Sequence, residues 1–219
     1  MADFRLRIGF AKTGAAIWLS HLEVVRAMER CLRRSGLPYD ISQGFSPHIK
    51  HSFSTALPVG TGSSGEFMDV ELTAVVEPEQ ALLSLQAVQH ECLPVLTTQY
   101  IPRDEPSLQV YFNLGVYLVQ FANPAAGTVP EIARRLSLRP VIDIRKKAKP
   151  KTYDLNDYLL DVACVPGSEA ATAGLRLELL SLPSGSLRPE VMLQAIAAPD
   201  LDFKIEAITR IELLHKELP

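Results

Sequence analysis

The residues of this sequence best suited to chemistry lie between positions 20 and 51. His21 follows Ser20 at a predicted helix start, and His48, Lys50 and His51 lie in a stretch rich in Gly, Pro and Ser. The positive end of a helix dipole favours a neutral imidazole at the first turn, and a neutral histidine can act as a general base. One hypothesis is therefore metal-independent RNA cleavage, with His21 as the base and Lys50 or His48 stabilising the phosphate.

A simpler interpretation gives the same histidines structural roles. We expect His21 to lie within reach of residues 43–51 and to fix that loop by hydrogen bonds. His48 and His51 supply two potential metal ligands and no third is evident, so the sequence predicts no metal site.

Residues 42–60 form the longest connection that the sequence predicts, and such connections in compact domains are usually functional. Exposed aromatic side chains dominate the energetics of protein interfaces, which makes this loop a candidate docking surface for a protein. An alternative is that His48 and Lys50 contact RNA. The expected partner-binding residues are Gln43, Phe45, Pro47 and Phe53.

Positive charge is concentrated in one segment of an otherwise acidic chain. The net charge is -3 at pH 7, which gives no global case for nucleic-acid binding. Five cations nevertheless lie between residues 145 and 151, and such runs attract phosphate without reading base sequence. The alternative is a hairpin tip that charge keeps solvated. The cations are Arg145, Lys146, Lys147, Lys149 and Lys151.

Several classes of protein lack support in the sequence. The three cysteines are widely spaced, so neither a disulfide framework nor an iron–sulfur motif is predicted. No Walker, Rossmann or Asp-x-His-x-x-Gly cobalamin pattern is present, and we expect no cofactor. The chain has no apolar leader or membrane-length run, which predicts a reduced cytoplasmic protein without membrane contact.

Hydrophobic periodicity predicts an α+β protein of two tandem ferredoxin-like domains with antiparallel sheets. The first covers residues 1–103, with a long loop at 42–65, and the second covers residues 104–219, with the basic tip at 145–151. In the first domain we expect strands near 4–10, 39–41, 66–73 and 95–101, and helices at 20–36 and 78–92. In the second we expect strands at 110–121, 141–145 (continuing near 158–165), 175–182 and 203–214, and helices at 130–136 and 188–197.

The exposed face of the first predicted sheet favours ion pairing over base stacking. Arg5 and Arg7 would lie beside Asp69 and Glu71, while only Phe67 is aromatic. Opposite charges on adjacent strands stabilise a sheet, whereas single-stranded RNA requires aromatic platforms. We therefore expect this face to have a structural or domain-packing role.

Three segments together resemble a known family. They are Trp-Leu-Ser-His-Leu-Glu at 18–23, Gln-Gly-Phe-Ser-Pro-His at 43–48 with Leu-Pro-Val-Gly at 57–60, and Gly-Glu-Phe-Met-Asp-Val-Glu-Leu at 65–72. In these the chain resembles the bacterial radical SAM-linked proteins, a domain of unknown function, and the likeness continues through residues 144–147, 153–155 and 187–189.

The resemblance implies a partner and a setting. Members of that family are encoded beside, or fused to, a cobalamin-binding radical SAM protein, commonly near genes for RNA processing and ribosomal proteins. Because this chain lacks the cofactor motifs, the resemblance implies that the partner performs any radical chemistry. The favoured interpretation is a non-catalytic accessory protein that binds RNA or a ribosome-related substrate; a protein-interaction module without RNA binding is the alternative.

Overall fold

The computed structural model describes residues 4–146, 149–166, 173–197 and 200–217, apart from the side chains of residues 145–150. It is a mixed α+β protein dominated by antiparallel sheet. The chain divides into two compact units, Met1–Phe112 and Asn113–Pro219. The division falls after Phe112, whereas the sequence suggested one between residues 103 and 104.

The first unit has the strand–helix–strand–strand–helix–strand order that the sequence predicts. The elements are β1 (Phe4–Lys12), α1 (His21–Ser35), β2 (His51–Phe53), β3 (Thr61–Leu72), α2 (Pro78–Gln86), β4 (Val95–Ile101) and a last short helix, α3 (Leu108–Tyr111). The strands lie in the order β4-β1-β3-β2, and each of these three pairings is antiparallel.

Helix α1 begins and ends where its capping residues predict. The Glu23 carboxylate accepts hydrogen bonds from the Ser20 amide at 2.8 Å and from the Ser20 hydroxyl at 2.7 Å, as part of a capping box. At the other end Gly36 adopts a left-handed conformation with φ of 74°, which glycine reaches without steric cost. Val24, Met28, Cys31 and Leu32 face the core, as expected.

Strand β1 is covered on both of its faces. Leu6, Ile8 and Phe10 lie in the hydrophobic core, and Arg7 on the other face is also buried. The Arg7 guanidinium lies 5.3 Å from the ring centroids of both Tyr111 and Phe112. A helical turn with Phe112 therefore covers this face, where a strand was predicted from residue 110 onward.

Three other boundaries in the first unit differ from the prediction. Strand β3 starts at Thr61 instead of residue 66, since a Gly/Ser-rich segment that resembles a loop pairs with its neighbours. Strand β2 lies inside the predicted 42–65 loop and replaces the strand expected at 39–41, where only isolated bridges form. Helix α2 ends at Gln86, six residues early, and the Gln89 side chain accepts from the Val95 amide in the turn that follows.

The second unit consists of an antiparallel sheet, a separate hairpin and helices. The elements are β5 (Leu114–Phe121), α4 (Thr128–Ser137), β6 (Val141–Lys146), β7 (Lys149–Asp154), α5 (Leu155–Tyr158), β8 (Leu159–Pro166), β9 (Ala173–Leu182), β10 (Gly185–Ser186), α6 (Pro189–Ala197) and β11 (Ile205–Leu214). The sheet has the order β8-β9-β5-β11, the short β10 also pairs with β9, and β6 and β7 form the hairpin. These elements overlap most of the length of the predicted strands and both predicted helices.

Strand β7 is the main difference in the second unit, because no strand was predicted at residues 149–154. Pro150 lies opposite Arg145 in the β6–β7 ladder. A proline is tolerated in an edge strand where its missing amide would point away from the partner. In the part of the chain that the structure describes, no helix is long and apolar enough to cross a membrane.

Candidate functional site

The loop at residues 42–48, hereafter the tied loop, is closed by hydrogen bonds between its first and last residues. The Ser42 amide donates to the His48 carbonyl at 2.9 Å, and the Ser42 hydroxyl accepts from the His48 amide at 3.1 Å. The same hydroxyl lies 2.9 Å from His48 Nδ1, which also lies 3.2 Å from the Ser46 carbonyl. The imidazole therefore helps to fix the shape of the loop.

The two aromatic residues predicted as anchors have opposite environments. Phe45, in the tied loop, is fully exposed, as expected. Phe53 was expected to be exposed and this was wrong: it is 8% exposed and contacts Phe10, His21 and His51 edge to face. It lies in β2 opposite Met68, where the pairing turns its ring into the core. Gln43, Phe45 and Pro47 remain exposed.

Lys50 and His51, which follow the loop, are held by acidic side chains. Lys50 Nζ lies 2.7 Å from Asp40 Oδ2 and 3.4 Å from Glu71 Oε2. The hydrogen bond to Asp40 raises the pKa of Lys50, and Glu71 adds to this effect. Two carboxylates thus offset the positive charge of Lys50, which was proposed to stabilise a phosphate. His51 Nε2 contacts Glu29 Oε1 of α1 at 2.9 Å, which ties β2 to the helix.

His21 lines a small cavity with three polar residues that the sequence analysis did not identify. Lys12, Ser54 and Glu66 are all buried, and the Ser54 hydroxyl lies 3.3 Å from Glu66 Oε2. Burial lowers the pKa of His21, partly opposed by Glu66, so the imidazole is neutral near pH 7. The cavity volume of about 20 Å³ admits a single water.

The alternation of inward and outward residues along two strands would have allowed this buried polar cluster to be predicted from the sequence. Core residues of β1 occupy even positions up to Phe10, and Lys12 is the next even position. Glu66 likewise begins the buried series that continues with Met68 and Val70. Charged residues at inward positions of two paired strands predict a buried polar group.

The residues of the RNA-cleavage hypothesis line different cavities. His21 lies in the small cavity, whereas His48 and Lys50 line an open cleft of about 470 Å³ with Arg5, Asp69 and Glu71. His21 contacts Phe53, which in turn contacts His51; its direct reach to residues 43–51 stays a prediction. In the described ranges, no group of three or more His, Cys, Asp or Glu side chains is arranged to hold a metal ion.

The predicted basic tip is the end of the β6–β7 hairpin. Backbone pairing places Lys146 opposite Lys149, and Lys151 opposite Ile144. Lys151 Nζ donates to the Ser184 carbonyl at 3.1 Å and lies 4.6 Å from the Tyr153 ring centroid. Lys147 lies outside the described residues, as do the side chains of Arg145, Lys146 and Lys149.

A second cleft, of about 440 Å³, lies beside α1 and was not predicted. Its charged and polar lining consists of Glu23, Arg26, Arg30 and His90. The spacing of Arg26 and Arg30 by four residues places both on one helix face, a pattern visible in the sequence. The apolar floor, by contrast, includes residues distant in sequence, so it could be identified only from the fold.

Fold and site together define a two-unit α+β protein with a tied, aromatic-bearing loop. The family model described as "Uncharacterized protein conserved in bacteria (DUF2344)" matches residues 5–189, and the chain belongs to this family. No curated protein matches the sequence.

Two solved structures have low similarity to the chain. One, a chain of a Cbf5-Nop10-Gar1 complex, is 11% identical with a TM-score of 0.48, over 95% of this chain and 50% of that chain. This chain therefore spans half of that protein's length. The other, an unknown protein from Galdieria sulphuraria, is 12% identical with a TM-score of 0.27, over 92% of this chain and 98% of that chain.

Proposed function

We propose that this protein is a non-catalytic accessory protein of a cobalamin-binding radical SAM enzyme, and that the tied loop docks on that enzyme. The partner is the one implied by the resemblance at residues 18–23, 43–60 and 65–72. We also propose that each unit is a ferredoxin-like domain. Support for this comes from the β4-β1-β3-β2 order of the first sheet and the equivalent β8-β9-β5-β11 order of the second.

The observation that carries the docking proposal is the full exposure of Phe45 on a loop whose ends are hydrogen-bonded to each other. A mobile loop loses conformational entropy when its exposed aromatic ring binds to a partner protein. A loop closed by Ser42 and His48 has already lost part of that entropy, so more of the contact free energy contributes to affinity. Pro47 further restricts the backbone.

The first test replaces Phe45 by alanine. We expect affinity for the purified radical SAM partner to fall about 30-fold, which corresponds to about 2 kcal/mol for an aromatic anchor. Biolayer interferometry with the immobilised partner measures the change. Leu83→Ala, the truncation of an exposed apolar side chain on α2, is the control and should bind like the wild type. An unchanged dissociation constant for Phe45→Ala rules the loop out as the docking surface.

A second candidate function is RNA binding by the β6–β7 hairpin, in which the accessory protein presents RNA to its partner. The observation that favours it is the strand register, which brings a run of cations together at one hairpin end. Lys151 donates to a carbonyl that carries no net charge, so this hydrogen bond does not neutralise its positive charge. His48 and Lys50 contribute less to this candidate than expected, since carboxylates engage Lys50.

Charge reversal of Lys146, Lys147 and Lys149 tests this candidate. We expect RNA affinity at 50 mM salt to fall by at least tenfold and the salt dependence to flatten, since each lost phosphate contact lowers the slope of log K against log salt by roughly 0.7 for single strands. Fluorescence anisotropy with a labelled 20-nucleotide RNA gives both quantities. Reversal of Arg188, Lys204 and Lys216, three exposed cations of the same unit, makes an equal charge change elsewhere. If both triple variants lose the same RNA affinity, the effect comes from net charge, and the hairpin is not the RNA-binding site.

The RNA-cleavage alternative has its own test. Its proposed base and phosphate-binding groups line separate cavities. RNA incubated with EDTA-treated protein should stay intact; cleavage that disappears in His21→Ala would establish an enzyme and overturn the accessory role.

A further inference from the structure

Helix α1 carries more positive charge than its neighbours compensate. It has four arginines, at positions 26, 30, 33 and 34, and two glutamates. Glu23 is engaged by the Ser20 amide and hydroxyl, and Glu29 contacts His51. The hydrogen bonds of both acidic groups thus go to residues other than the arginines, although Glu23 also attracts Arg26 through charge.

Arg26 and Arg30 are the arginines that line the cleft beside this helix. Both are exposed, and neither forms a hydrogen bond or salt bridge to another residue in the ranges that the structure describes. Their Cβ atoms lie roughly 5–6 Å apart, as for any pair separated by four residues in a helix. Two guanidinium groups at this separation can converge on one phosphate, since each is a planar multiple donor.

His90, which also lines the cleft, offers a further donor. The Cys92 amide donates to His90 Nδ1 at 3.1 Å, which leaves Nε2–H as the donor of this ring. Together with Arg26 and Arg30, His90 gives three donor groups at one concave site. The lining also contains the carboxylate of Glu23, which opposes an anion and is hydrogen-bonded to Ser20 at the start of the helix.

The floor of the cleft is apolar and built from small or aliphatic side chains, namely Ala15, Ala16, Leu19, Ala27 and Leu93. Small residues allow a flat ring to approach the backbone closely, and a volume of about 440 Å³ lies within the usual range for small-ligand sites. A phosphate alone would leave this apolar surface unused. A ligand that joins a phosphate to a ring would use both parts.

We propose that this cleft binds a nucleotide, with its phosphate on Arg26 and Arg30 and its sugar and base over the apolar floor. The shared chemistry applies to a free nucleotide and to one unit of an RNA strand. The site lies within the first unit, and it depends on neither the docking role of the tied loop nor the cations of the hairpin in the second unit.

The test uses the full chain at 50 mM salt, with 5′-AMP, inorganic phosphate and a labelled 12-nucleotide single-stranded RNA as probes. In Arg26→Gln/Arg30→Gln we expect the affinity for the bound probe to fall at least 30-fold, with retained helical circular dichroism because Gln is a good helix former. Arg33→Gln removes a charge from the same helix outside the cleft and should change affinity less than threefold. Ala27→Met fills the floor without altering charge and should weaken binding about tenfold while leaving the salt dependence unchanged.

The probes separate the two sources of the ligand. AMP binding that is lost in the double variant identifies a free nucleotide, whereas RNA binding without AMP binding identifies a strand; either supports the site, and both should exceed the affinity for inorganic phosphate. The proposal is overturned if neither AMP nor RNA binds, if Arg33→Gln weakens binding as much as the double variant, or if Ala27→Met has no effect. Unchanged binding in the hairpin triple variant is expected and keeps the two RNA hypotheses separable.

Discussion

Replacement of Arg7 by methionine is expected to lower the free energy of unfolding of the first unit by about 3–5 kcal/mol, the usual cost of leaving one member of a buried ion pair uncompensated. Arg7 and Asp69 are 3% and 2% exposed. Arg7 Nε and Nη2 donate to the two Asp69 oxygens at 2.8 and 3.1 Å. Methionine fills a similar volume without donating, so the Asp69 carboxylate would remain buried beside an apolar side chain.

The aromatic cover of this pair adds to the expected loss. Phe112 stacks on Phe67 with ring centroids 4.5 Å apart, and the Arg7 guanidinium lies 5.3 Å from both Tyr111 and Phe112. Loss of the cation therefore weakens the contact that holds the end of the first unit on its sheet.

Trp18, the only tryptophan in the chain, provides a fluorescence probe of unfolding in this unit, for example in a urea titration. Arg5→Met is the matched control: Arg5 Nε lies 4.0 Å from Asp69, and its loss should cost about 1–2 kcal/mol. The double variant Arg7→Met/Asp69→Leu should recover part of the stability, because the buried Asp69 carboxylate is removed with its partner. The recovery is incomplete because Arg5 loses Asp69 and Glu105 loses Arg7. A loss below about 1 kcal/mol for Arg7→Met would contradict this account of the pair.

The Arg7–Asp69 pair shows what the alternation of residues along predicted strands can and cannot predict. Opposite charges on the same face of two predicted neighbouring strands indicated ion pairing over base stacking, and the contact is confirmed. The burial of that pair was not predictable in the same way. It depends on Tyr111 and Phe112, which follow Arg7 by more than a hundred residues. They lie where a strand was predicted and a helical turn forms.

The candidate sites show the same difference between contacts of residues close in sequence, which were predictable, and contacts of distant residues, which were not. The capping box at Ser20 and Glu23 uses residues three apart, and the predicted helix start is confirmed. The compensation of Lys50, by contrast, requires Asp40 and Glu71 to approach from two other segments. Phe53 was misplaced for the same reason, since only its pairing with β3 reveals which side of the sheet its ring occupies. Sequence pattern thus located the loop at residues 42–48, but it missed the strand at His51–Phe53 and assigned too many side chains to solvent.

The attachment of the tied loop to the core depends on Ile49, and its truncation is the second large expected effect. Ile49 is 1% exposed and belongs to the first hydrophobic core, immediately after the hydrogen-bonded closure at His48. Its backbone also bridges to Ile41 on the other side of the loop. We expect Ile49→Ala to destabilise the first unit by about 2–5 kcal/mol, since it removes buried methyl groups and leaves a cavity.

Ile41→Ala separates the anchoring role of Ile49 from a general effect of shortening an aliphatic side chain. Ile41 lies opposite Ile49 but is 38% exposed, so its truncation should cost less than about 1 kcal/mol. Trp18 fluorescence in urea measures both losses, and limited proteolysis measures loop opening. Because the loop loses its anchor in Ile49→Ala, cleavage within residues 42–48 should accelerate in that variant and stay unchanged in Ile41→Ala. Equal stability losses, or equal cleavage rates, in the two variants would show that Ile49 does not hold the loop. Phe45 would then lie on a mobile segment, without the preorganisation that favours docking.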